Sequence, residues 1–75
     1  MGEMRILSAE GDTKVIWDHE NDDEVEAAEA QFDTLREKGF KCFRVDKKGE
    51  KTGGAISRFP KTAGKLIMVP VVRGG

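Results

Sequence analysis

The run Lys65-Leu66-Ile67-Met68-Val69-Pro70-Val71-Val72-Arg73-Gly74-Gly75 contains the longest apolar segment of the chain, residues 66–72. A bilayer span takes about 20 apolar residues, so this segment belongs to a folded interior. Continuous apolarity without polar alternation marks a strand covered on both sides or flanked by neighbours at the centre of a sheet. Lys65 to Val69 is therefore expected to be a central strand. Pro70 has no N–H to give to a ladder, so regular pairing is expected to falter there. Val71 onward is expected to lead out as a tail, which divides the chain into a domain over 1–70 and a tail over 71–75. The tail ends in two glycines. With no Cβ, glycine threads a narrow tunnel and adopts backbone angles closed to other residues. Gly74-Gly75 is thus suited to bring a carboxylate to a nucleotide or a nucleophile inside an enzyme.

Upstream of this strand the pattern changes from period two to period 3.6 and back. Met4 to Ala9, the turn signal Glu10-Gly11-Asp12, and the β-branched and aromatic run Thr13-Lys14-Val15-Ile16-Trp17 read as a β-hairpin. Asn21 to Lys38 reads as a helix. Asn21 is a good N-cap, and Glu24 three residues later has capping-box spacing. Asp22, Asp23 and Glu24 suit the positive end of the helix dipole, and Arg36 and Lys38 the negative end. Val25, Ala28, Phe32 and Leu35 share one apolar arc. Gly39 stands where a left-handed C-terminal glycine belongs. Phe40 to Asp46 reads as a third strand, with Phe43 and Val45 expected in the core. Lys47 to Gly54 is a polar turn, and Ala55 to Phe59 is either a short strand or a single helical turn. The order is β-β-α-β-(β)-β. A right-handed crossover returns the chain beside the first strand, sets the apolar last strand at the centre and lays the helix across one face. That is a single α+β domain of β-grasp architecture.

At 75 residues, with 37% apolar and 36% charged positions, the chain is one small globular unit close to the size at which a single core holds without staples. One cysteine, Cys42, cannot form an internal disulfide, and Met1-Gly2-Glu3-Met4-Arg5 lacks the apolar run of a signal peptide. A cytoplasmic protein is the expectation. The net charge of −1 conceals a division: residues 1–37 carry twelve acids and three bases, net −9, and residues 38–75 two acids and ten bases, net +8. Such asymmetry implies either a bipolar surface with separate partners or two halves whose rims attract each other.

A β-grasp domain of this size, whose apolar last strand Leu66 to Val69 runs into Arg73-Gly74-Gly75, resembles ubiquitin, its prokaryotic relatives, and the ThiS and MoaD sulfur carriers. The resemblance covers the chain as an order of elements and rests on those few residues. It implies that an activating enzyme adenylates the Gly75 carboxylate with ATP and Mg²⁺. Thioester and amide formation on target proteins, or conversion to a thiocarboxylate, would follow. The protein would then be a substrate without catalytic residues or a cofactor of its own. Gly74 and Gly75 would be the activation site, and Arg73, with Val71 and Val72, a recognition element, the guanidinium being able to pair with a partner carboxylate.

Other constellations point away from catalysis. His19 is the sole histidine, in an acidic loop with no ligand spacing around it, and reads as a surface loop residue. Cys42 has Lys41 and Arg44 near it in sequence, which would lower its pKa, but a strand cysteine without a positioned histidine reads better as buried. Gly64-Lys65 is not a phosphate loop, because Phe59 and Leu66 stand where Gly and Ser or Thr are required. Glu26, Glu29, Asp33 and Glu37 stripe the helix as a solvated face or a docking surface for a basic partner. Lys47, Lys48, Lys51, Arg58, Lys61 and Lys65 lack the stacking aromatics of a nucleic-acid site. Trp17 belongs to the core or its rim. Two readings of function stay open: a small modifier or sulfur carrier acting through Gly75, and a non-covalent interaction module using the sheet face or the charged poles. Neither is an enzyme.

Overall fold

The computed structural model of the chain describes residues 1–70. Its order is β1 (Gly2–Ser8), β2 (Gly11–Trp17), α1 (Asp22–Glu37), β3 (Phe40–Val45), β4 (Lys51–Ile56) and β5 (Lys65–Pro70). The strands form one mixed sheet in the order β2-β1-β5-β3-β4. The last strand lies at the centre, as its apolar run requires. It runs parallel to β1, from Glu3 opposite Lys65 to Ile6 opposite Met68, and antiparallel to β3, from Phe40 opposite Pro70 to Arg44 opposite Leu66. This is a small α+β domain with one helix and a five-stranded sheet, an arrangement compatible with a β-grasp.

The helix starts where its cap dictates. Asn21 is extended (φ −100°, ψ 101°), and its Oδ1 accepts from the amides of Asp23 at 3.1 Å and Glu24 at 3.2 Å. The reciprocal half of the expected capping box differs. Glu24 accepts from Asn21 Nδ2 and, with its other oxygen, from the Asp18 amide, while the Asn21 amide donates to Asp18 O. The carboxylate therefore ties the incoming loop to the first turn. At the far end Gly39 takes φ +98° and donates to Arg36 O, the left-handed step expected of it.

Ala28, Phe32 and Leu35 of α1 pack on Met4, Ile6, Trp17, Cys42, Leu66 and Met68, with Val25 partly buried beside them. Each large side chain taken fully from water contributes about 1.5–3 kcal/mol. Phe59 bridges this core to the loop before β5, 5.0 Å from the Trp17 ring and 5.6 Å from Phe32.

Four sequence expectations require correction. In β3, Cys42 enters the core and Phe43 and Val45 do not. Alternation alone leaves open which face meets the helix; the ladder with β5 sets Cys42 against Met68 and Phe43 against Ile67, and a small cysteine fits beneath α1. The segment Lys51–Ile56 is a strand throughout, so Lys51 to Gly54 leaves the turn and the strand ends before Phe59. Gly53-Gly54 is absorbed as a bulge: between the pairs Arg44–Thr52 and Cys42–Ile56, β3 has one residue and β4 three, with Gly53 at φ +73°. Such bulges keep an edge strand from pairing with another chain. Pro70 still lies opposite Phe40, so pairing reaches it. Leu66 and Met68 are buried while Ile67 and Val69 are half-buried, so β5 has neighbours on both edges but the helix on one face only.

Gly2 packs flat against the indole of Trp17, and a Cβ there would overlap Trp17 Cε2 and Cζ2. Gly2→Ala is expected to lower stability by about 1–3 kcal/mol in urea unfolding, the range for overpacking a core. Gly64→Ala, where a Cβ meets nothing within 4 Å, is expected to change it by no more than about 0.5 kcal/mol.

Candidate interaction surface

Side chains alternate across a strand, so once Met4, Ile6, Leu66, Met68 and Cys42 face the helix, the intervening residues share the opposite side. The registers align them. Lys14 lies opposite Arg5, Arg5 opposite Ile67, and Ile67 opposite Phe43, one row across four strands. Beside it, Ile16 lies opposite Glu3, Glu3 opposite Lys65, and Val45 opposite Lys51, while Lys41 lies opposite Val69. Among the described residues no helix or strand covers this face. Its middle is apolar, with Ile67, Val69, Phe43 and Val45 half-buried among their neighbours. At its margin Ile16 is 54% exposed, a large apolar side chain left in water.

The rim is basic. Arg5, Lys14, Lys41, Lys51 and Lys65 share the face with two acids, Glu3 and Asp12. Lys14 Nζ stands 3.6 Å from Glu3 Oε1, the one ion pair among the described residues. Lys51 Nζ lies 4.9 Å from the centroid of the Phe43 ring, a cation–π contact worth about 0.5–1 kcal/mol when exposed. The other side of the molecule has the opposite sign. Helix α1 carries seven acids, all exposed, and one base, Arg36, which donates to Ser57 O at 2.6 Å. The helix side is thus acidic and the open sheet face mainly basic, its bases drawn from both halves of the sequence, Arg5 and Lys14 from the first and Lys41, Lys51 and Lys65 from the second. The one ion pair lies within the N-terminal half, and no pair among the described residues joins the two halves.

The structure separates the other residues singled out by sequence. Trp17 is fully buried, and its Nε1 donates to Lys61 O at 3.0 Å. His19 is half-buried, its Nε2 3.2 Å from Ala63 O and its ring edge-on to Trp17. Both hold the loop that leads into β5. Cys42 is buried, and burial pushes its thiol up to about 11, partly opposed by the Arg36 guanidinium. The effective cation is Arg36 from the helix, rather than Lys41 or Arg44 from the strand. Of the basic set, Lys51 and Lys65 reach the open face. No cluster of three metal-ligating side chains occurs among the described residues, and none of their helices is long and apolar enough to cross a membrane. The activation and recognition residues Val71, Val72, Arg73, Gly74 and Gly75 lie outside the described residues. The chain enters them from Pro70, the end of the central strand, opposite Phe40.

Compared with protein-family models, with curated proteins and with solved structures, the chain matches none.

The sheet face named by the interaction reading includes Phe43 and Val45, which the sequence expectation for β3 places in the core. The signal against that placement was present in Lys41, which shares their parity: a lysine rarely shares a buried strand face.

Only the thiolate of a cysteine reacts, and a pKa raised by about two units holds the thiolate fraction roughly a hundredfold below that of an exposed cysteine at pH 8. Cys42 is expected to react with a chromogenic disulfide at pH 8 at least about a hundred times more slowly in the folded chain than in urea. The gap is expected to narrow as pH rises from 9 through 11, where the folded thiol ionises.

Proposed function

We propose that this chain is a ubiquitin-like β-grasp protein, a small modifier or sulfur carrier whose Gly75 carboxylate is the working group. The supporting observation is the place of β5. It is the central strand, and its last residue, Pro70, is followed in sequence by Val71-Val72-Arg73-Gly74-Gly75. A five-residue segment reaches at most about 17 Å when extended, enough to carry a slender end into a partner's active site while the sheet stays outside. The chemistry belongs to the partner. An adenylating enzyme joins the carboxylate to AMP with loss of pyrophosphate. A thiol of the partner displaces AMP to form a thioester, from which a lysine amine displaces the thiol to form an amide; in the sulfur-carrier branch a sulfide-level sulfur donor displaces AMP and leaves a thiocarboxylate. Arg73 would offer the partner a bidentate cation.

A second reading is favoured by the open sheet face. An apolar centre within a basic rim is complete within residues 1–70 and serves a non-covalent interaction module or adaptor that needs no conjugation chemistry. A contiguous apolar patch rimmed by polar side chains is the form that protein-binding surfaces take.

An N-terminally tagged chain expressed in its native cells and purified under denaturing conditions separates the two. In the first reading, mass spectrometry finds Gly-Gly on target lysines, since trypsin cuts after Arg73, or sulfur in place of oxygen at the terminus. Gly75→Ala abolishes both. An unmodified Gly75, together with a photo-crosslinker at position 67 that captures a defined partner, contradicts the first reading and supports the second.

A further inference from the structure

We propose that the open sheet face binds the helix face of a second copy of this chain, so that molecules stack front to back. The inference deepens the interaction reading by naming the partner, and it is independent of the tail. It rests on complementarity between two faces of one molecule. On the sheet side, Ile67, Phe43 and Val69 form an apolar centre rimmed by Arg5, Lys14, Lys41, Lys51 and Lys65, with Glu3 and Asp12 the only acids. On the helix side, the residues turned away from the core place Ala30, exposed and small, among Glu26, Asp33 and Glu37. An apolar centre in a basic rim thus meets a shallow apolar centre in an acidic one.

Charge adds two arguments. Little of either set is neutralised at home: among the described residues the sole ion pair is Lys14 to Glu3, within the sheet face, and the other four rim bases and the helix acids make none. The molecule is also at least 23 Å across along every principal axis, against a screening length of about 8 Å at physiological salt. The two faces are therefore felt by a neighbour as separate poles. The like charges of α1, such as Glu29 and Asp33 one turn apart, mildly destabilise the isolated helix, and a basic neighbour relieves that repulsion. A front-to-back contact joins two different surfaces, so it does not close on itself at two copies; it extends or forms a ring.

Sedimentation velocity of the full chain at rising concentration tests this. In about 20 mM salt the average mass is expected to climb above the 8.3 kDa of one chain, and in about 500 mM salt the apparent dissociation constant is expected to rise at least tenfold. Two charge-reversed variants on exposed positions provide the decisive arm, each checked for folding by circular dichroism. Glu26→Lys with Asp33→Lys reverses the helix face, and Lys41→Glu with Lys65→Glu reverses the sheet face. Each alone is expected to stay monomeric, and an equimolar mixture to associate again. A wild type that stays at 8.3 kDa up to millimolar concentration overturns the proposal and leaves the interaction reading to the crosslinking at position 67. Association untouched by the helix variant, or not restored by mixing, also overturns it.

Discussion

The pairing of β5 between β1 and β3 is the constraint on which the rest of this molecule depends. Without it the chain is two separate hairpins, since β1 otherwise pairs only with β2, and β3 only with β4. Isolated two-stranded hairpins are marginal in water at best. The strand that unites them is the last of the described strands, so β1 must wait for residues about 60 positions downstream before the core closes. Long-range closure of that kind slows folding. It also explains why the apolar run is unbroken: Leu66, Ile67 and Met68 each have a strand on both sides, even where one face is open.

The register of β5 is fixed by the loop before it. Trp17 and His19 each reach a carbonyl of that loop, at Lys61 and Ala63, and the Glu3 amide donates to Gly64 O at 2.9 Å. Two bonds from the N-terminal hairpin, and one from His19 in the loop after it, thus set where Lys65 begins to pair. Phe59 wedges between Trp17 and Phe32, and Gly2 leaves room for the indole. A one-residue slip would turn Leu66 and Met68 outward and bury Lys65, so this clamp determines which side chains become core and which become surface.

Much of this was legible in the residues. Asn21, the apolar arc of α1, and Gly39 fixed the helix by local chemistry, and the run at 66–69 announced a central strand. The expectation for β3 inverted its two faces, because alternation gives a period and no direction; direction comes from the ladder with β5, which is a tertiary fact. The strand at 51–56 was hidden for a different reason. Gly53-Gly54 looks like a turn, and only the extra length of β4 against β3 makes it a bulge. The same inversion moves Phe43 and Val45 from the core to the open face, beside Ile67 and Val69. Residues 71–75 lie outside the described residues, and the reading of Gly75 as the working group rests on the order of residues in the sequence.

What emerges is a domain with two unlike sides, a helix side rich in acid and a sheet side apolar at its centre and basic at its rim. The most direct test of that account is the relaxation that a soluble paramagnetic agent causes at individual methyl groups. The account predicts strong broadening at Ile67, Val69 and Val45, and almost none at Leu66 and Met68, one residue away along the same strand. Equal protection of Ile67 and Leu66 would contradict it, since β5 would then be covered on both faces and the surface would not exist.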